Sequence, residues 1–138
     1  MGQGVLSQRQ QRLFADAGLT RAEDGALLFG GISVAAIARK AGTPAYLYNA
    51  DAIREKFQAL DAALGGLPHQ IQYAVKANSC LAVLKVLRDA GAGCDIVSVG
   101  ELRRALRAGF VPEQIVFSGV GKTAAELEEA CATRIGPS

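Results

Sequence analysis

Ile71-Gln72-Tyr73-Ala74-Val75-Lys76-Ala77-Asn78-Ser79 is the stretch on which the reading of this chain turns. An apolar, strand-like run over 71–75 leads into a single lysine, and Asn78-Ser79 behind it is a pair that starts helices. The carboxyl end of a strand is where α/β folds place their chemistry. A lysine there is open to partial desolvation, which makes its amine neutral enough to attack a carbonyl. The competing reading is an ordinary surface lysine behind a strand, since lysines are mostly exposed. Alternation along 71–76 predicts Gln72, Ala74 and Lys76 on one face and the bulky Ile71, Tyr73 and Val75 on the other.

Downstream the chain becomes periodic. A helix is predicted over 79–90, with Leu81, Leu84 and Leu87 on one side and Gly91 as its stop. A strand over 94–98 follows. Ser98 and Glu101 then have the spacing of a capping box ahead of a helix over 102–108, which Gly109 ends. A third strand is predicted over 114–118, and Thr123 with Glu126 opens another helix. The order βαβαβα in units of roughly twenty residues predicts parallel strands with helical crossovers. Two architectures use that order, a doubly wound open sheet and a (β/α)8 barrel. A closed barrel needs eight units and about 250 residues, so three units make either a small open sheet or a piece of something larger.

Upstream, Ser33 is an N-cap for a short helix over 34–41 that Gly42 ends, and 44–48 (Pro-Ala-Tyr-Leu-Tyr) reads as a strand opened by proline. Asn49 or Asp51 starts the next helix. Ile53, Phe57, Leu60 and Leu64 form its apolar stripe, and Gly65-Gly66 closes it. Residues 1–32, rich in Gln and Arg and then in Gly, read as a tail or loose segment, with 33–138 as the structured domain.

The composition suits a soluble globular protein, with 138 residues, half of them hydrophobic and 20% charged. A formal charge of +2 makes no electrostatic case for nucleic acid or anionic membranes, and the absence of tryptophan weakens any base-stacking platform. No apolar run is long enough to span a bilayer, and the N-terminus lacks the apolar core of a secretory signal. Met1-Gly2 is followed at the diagnostic myristoylation position by Leu6 rather than Ser or Thr. A cytoplasmic location is expected. Three cysteines (Cys80, Cys94, Cys131) and one histidine (His69) are too few and too scattered for a zinc site; buried free thiols and a solvated loop histidine are expected.

The chemistry gathers around Lys76. Ala74 beside it leaves room for a flat ring, which suits a covalently held aldehyde cofactor such as pyridoxal 5'-phosphate. Asp95 lies early in an Ile/Val strand, where a carboxylate is costly unless paired. It is either an orienting acceptor near the lysine or an aspartate in contact with water. Lys122 after Gly119-Val120-Gly121 does not complete a phosphate-loop motif, and capping and solvation account for it.

Taken together, the motifs 73–78 (Tyr-Ala-Val-Lys-Ala-Asn), 91–102 (Gly-Ala-Gly-Cys-Asp-Ile-Val-Ser-Val-Gly-Glu-Leu) and 115–123 (Ile-Val-Phe-Ser-Gly-Val-Gly-Lys-Thr), with 42–48 ahead of them, resemble the pyridoxal-phosphate decarboxylases of the alanine-racemase-like barrel class. The resemblance covers about residues 25–130. It implies the first three βα units of a partial (β/α)8 TIM barrel behind an N-terminal strand and helix. Lys76 would hold the cofactor covalently, with Asp95 near it. It further implies an amino-acid decarboxylase acting on meso-2,6-diaminopimelate to give L-lysine and CO2, as a homodimer. Other basic amino acids (arginine, ornithine, lysine) are the alternative substrates, and a non-enzymatic single-barrel cofactor-binding protein is the alternative class. Five further βα units and a β-domain of the family would lie beyond residue 138, so the chain is expected to be an inactive fragment. The ending 131–138 does not look like the family's next strand.

Overall fold

The computed structural model describes residues 7–136, and the chain divides into two compact units, Met1–Ala52 and Ile53–Ser138. The first unit begins with helix α1 (Gln8–Asp16), followed by strands β1 (Leu19–Arg21), β2 (Leu27–Phe29) and β3 (Ile32–Ser33). The strands form an antiparallel meander with Leu19 opposite Phe29 and Leu28 opposite Ser33. Helix α2 (Val34–Ala41) grows directly out of β3. The Ser33 hydroxyl accepts from the Ala36 N–H at 3.3 Å, and Gly42, at φ +80°, ends the helix while its N–H returns to the Ala38 carbonyl. The expectation of a loose segment over 1–32 is corrected for its described part. Its strands are only two or three residues long and lack a clean alternation, so they carry no period by which sequence reading finds them. Residues 1–6 lie outside the described residues.

The run 44–48 is likewise not a strand. It joins neither sheet, Tyr46 is 93% exposed, and extended chain without a ladder partner has no sheet to belong to. Helix α3 (Ala50–Ala63) follows, and of its two candidate caps Asn49 serves: its Oδ1 accepts from Asp51 N–H at 2.9 Å and Ala52 N–H at 3.3 Å.

The second unit is a three-stranded parallel sheet in the order β4 (Gln72–Ala74), β5 (Gly93–Ile96), β6 (Ile115–Phe117). Helix α4 (Leu81–Asp89) joins the first pair, α5 (Val99–Ala108) the second, and α6 (Ala124–Thr133) follows β6. Gln72 pairs with Gly93, Ala74 with Asp95, and Asp95 with Val116. The order expected for 71–133 is therefore present, with strands shorter than predicted.

Hydrophobic burial is one-sided. Val75, Cys94, Ile96 and Ile115 are fully buried in one cluster with Leu84 of α4 and Leu102, Ala105 and Ala108 of α5. Val83, Leu87 and Ala92 form a second cluster, against which Ile53 and Phe57 of the predicted α3 stripe pack. Leu60 of that stripe stays half exposed. The other sheet face carries Gln72, Ala74, Asp95 and Val116; all are partly buried and none belongs to either cluster.

Candidate active site

Lys76 is not the last residue of a strand. β4 ends at Ala74, and Val75–Ala77 is a turn of 3-10 helix. The reason is visible in the burial: Val75 is fully buried in the main cluster, and the chain turns to seat it there. Lys76, next along the turn, is exposed at the carboxyl end of β4. Of the bulky set, Tyr73 and Val75 pack into the core, whereas Lys76 lies beyond the strand that carries Gln72 and Ala74.

The segment behind the lysine is tied down. The Tyr73 hydroxyl donates to the Asn78 carbonyl at 3.3 Å. The Asn78 side-chain oxygen accepts from the Cys80 N–H at 2.9 Å, and Arg104 Nε of α5 donates to the Ser79 carbonyl at 2.7 Å. Cys80 precedes α4, and the backbone N–H groups of Val83 and Ala82 hold its thiol below the usual range, with a smaller pull from the Arg104 charge. Expected to be buried, Cys80 and Cys131 are in fact exposed; Cys94 alone of the three is buried, and burial pushes its thiol up to about 12.

Asp95 sits beside Ala74 on the face away from the helices. Its Oδ1 is shut from solvent and has no hydrogen-bond partner among the described residues, and the same holds for Gln72 Oε1. Both acceptors lie on the sheet face that carries Ala74 and Gly93, and an unsatisfied buried acceptor is costly. Gly93 belongs to this surface for a steric reason: a Cβ there would lie 2.3 Å from Gln72 Oε1 and 2.7 Å from the Gln114 carbonyl. Sequence reading placed Gln72 on this face without assigning it a role, and it missed Gly93 and Arg104 as contributors. A glycine at the start of a strand was a signal for close approach; nothing local pointed to Arg104.

Glu101 behaves differently from the predicted capping box. Ser98 Oγ accepts from the Glu101 N–H at 3.3 Å, but the Glu101 carboxylate returns to the Val97 N–H at 2.8 Å rather than to the cap itself. Lys122 Nζ donates to the Gly119 carbonyl and lies 5.1 Å from the Phe117 ring centroid, contacts beyond the capping and solvation expected of it. His69 is exposed in its loop, as expected, and is also held there: Nδ1 meets the Leu67 carbonyl at 2.8 Å and Nε2 the Asp61 carboxylate at 3.0 Å. In the first unit, a groove of about 350 Å³ lined by Phe29, Ile32, Ile37, Tyr46, Leu47 and Tyr48 contains none of Lys76, Ala74 and Asp95.

These residues fit a pyridoxal group. Lys76 is exposed and carries the amine that condenses with an aldehyde, Ala74 is small, and Asp95 carries an acceptor without a partner among the described residues.

Residues 50–137 match the family described as pyridoxal-dependent decarboxylase, pyridoxal binding domain. Among curated proteins, diaminopimelate decarboxylase of Vibrio cholerae is 49% identical over 113 residues, which are 82% of this chain and 27% of that protein. Among solved structures, diaminopimelate decarboxylase of Helicobacter pylori complexed with L-lysine aligns with a TM-score of 0.70 at 44% identity, over 73% of this chain and 26% of that one. The M. jannaschii diaminopimelate decarboxylase in co-complex with L-lysine aligns at 0.77 and 28% identity, over 87% and 29%. The chain thus spans about a quarter of the length of the curated relatives it matches. With an α/β unit of matching fold and a lysine-bearing turn inside the matched residues, the chain belongs to the pyridoxal-dependent decarboxylases, within their pyridoxal-binding domain.

Proposed function

We propose that Lys76 is the residue to which the cofactor, pyridoxal 5'-phosphate, is covalently attached, and that Ala74 and Asp95 line its place on the sheet. The observation that carries this reading is the presentation of Lys76. A fully buried Val75 anchors the turn, and the exposed amine stands at the carboxyl end of a parallel strand. When bound, the electron-poor ring of the cofactor takes up the electron pair left behind when a substrate carboxylate departs as CO2. The chain's own residues do the rest. Lys76 would hold the cofactor through its amine, Ala74 would leave room for the ring, and Asp95 would accept a hydrogen bond that fixes orientation.

The reaction proposed for the complete protein is decarboxylation of meso-2,6-diaminopimelate to L-lysine. The 49% identity to a diaminopimelate decarboxylase supports that substrate over arginine or ornithine. The domain expected over 33–138 is proposed as the opening part of a (β/α)8 barrel, with its three βα units within Ile53–Ser138. One-sided burial supports a barrel over a doubly wound sheet, which covers both faces with helices. The complete protein is proposed to act as a homodimer in the cytoplasm, and the 138-residue chain alone to be without turnover.

Reductive pyridoxylation tests the site. The chain is treated with pyridoxal phosphate and borohydride, and the five lysines are compared by peptide mapping. Label concentrated on Lys76 over the exposed helical Lys85 is expected. Label spread evenly over the lysines would sink the assignment.

A further inference from the structure

Arg104 lies on α5, yet its Nε donates to the carbonyl of Ser79, twenty-five residues earlier and three past Lys76. That carbonyl and the Cys80 N–H belong to one peptide unit, and the N–H is taken by the Asn78 side chain at 2.9 Å. The preceding unit is held too, through the Asn78 carbonyl and the Tyr73 hydroxyl at 3.3 Å. Asn78 and Tyr73 flank the turn on the same short stretch of chain. Arg104 belongs to a helix whose Leu102, Ala105 and Ala108 are fully buried in the main cluster, so it refers the turn to the core.

We propose that Arg104 is a positioning residue for Lys76: by gripping the Ser79–Cys80 peptide from α5 it holds the 3-10 turn in the orientation that presents the lysine amine to the cofactor. This inference rests on the assignment of Lys76 as the attachment point. The alternative role is a surface hydrogen bond that stabilises α4 and α5 without affecting the lysine.

Side-chain geometry separates the two. Glutamine carries its Nε2 at the position that Nε occupies in arginine, so Arg104→Gln keeps a donor for Ser79 and loses the charge. Arg104→Met keeps the length and loses the donor. Amide hydrogen exchange at Cys80 reads the grip through the peptide unit that it shares with the Ser79 carbonyl, with amides in the middle of α4 as reference. In R104M the Cys80 amide is expected to exchange about five- to tenfold faster while the reference is unchanged, the size of one lost hydrogen bond. The share of borohydride-trapped pyridoxyl label on Lys76 relative to Lys85 is expected to fall several-fold. R104Q is expected to restore both.

Unchanged Cys80 exchange in R104M, or R104Q behaving as R104M does, overturns the grip. Faster exchange with undiminished preference for Lys76 overturns the positioning role. If the wild-type chain shows no preference for Lys76, the attachment assignment itself fails and takes this inference with it. That outcome is distinct, because it appears before any substitution is made.

Discussion

His69 shows how a side chain in the expected setting still makes contacts that its sequence context does not announce. It is exposed in a loop, yet both ring nitrogens face acceptors, and a neutral imidazole donates from only one of them. The Leu67 carbonyl, and then the Asp61 carboxylate, raise its pKa above the ordinary value. With the folded value above the unfolded one, the contribution to stability is complete below the unfolded value of about 6.5 and is lost as the pH rises through the folded value. His69→Gln should therefore lower the melting temperature more at about pH 5.5 than at about pH 8.5. Equal losses at the two pH values would refute the paired geometry. Gly93 makes a complementary point, since its value lies in an atom it lacks: only without a Cβ does the Gln72 amide fit against it.

Among the elements, α6 was read most faithfully. Thr123 Oγ1 accepts from the Glu126 N–H at 3.3 Å, and the Glu126 carboxylate accepts from the Thr123 N–H at 3.0 Å, closing the capping box that the spacing predicts. Glu126 also accepts from the Val99 N–H at 3.2 Å, tying the start of α6 to the start of α5. These N–H groups, Thr123's first, hold its carboxyl below the ordinary range, so its contribution is present above the unfolded value and is lost as the pH falls through the folded one. Thr123→Ala should cost about 1 kcal/mol in urea unfolding, with Thr123→Asn recovering most of it. A loss indistinguishable from zero at neutral pH would show that the box does not stabilise α6. The strands were read less well, because β4 and β6 are three residues long and their limits depend on where neighbours offer ladder bonds.

For the molecule as a whole, the dominant feature is the difference between the two faces of the parallel sheet. One buries its aliphatic side chains under α4 and α5; the other holds two acceptors, Gln72 Oε1 and Asp95 Oδ1, without partners among the described residues. An orphaned acceptor destabilises the chain that carries it. Gln72→Met, which keeps the length and removes the acceptor, should raise the stability of the 138-residue chain by about 1 kcal/mol. A fall in the urea midpoint would show that Gln72 has found a partner within this chain. Such one-sidedness is invisible to periodicity, which reports which residues are apolar but not whether helices cover one face or both.

Everything local was written in the order of residues along the chain. The helix caps at Ser33 and Thr123, the glycine stops at Gly42, Gly91 and Gly109, the succession of strands and helices from 71 onward, and the lysine behind β4 all arise from neighbours within about four positions. The family motifs were legible for the same reason. Folding in three dimensions was needed for the rest. The 3-10 turn that takes Lys76 off the strand follows from seating Val75 in the core, the fit of Gln72 over Gly93 follows from the register of β4 against β5, and the hold of Arg104 on Ser79 joins residues twenty-five apart. Each of these depends on surfaces meeting across the fold, and the pattern of neighbouring residues does not encode such distances.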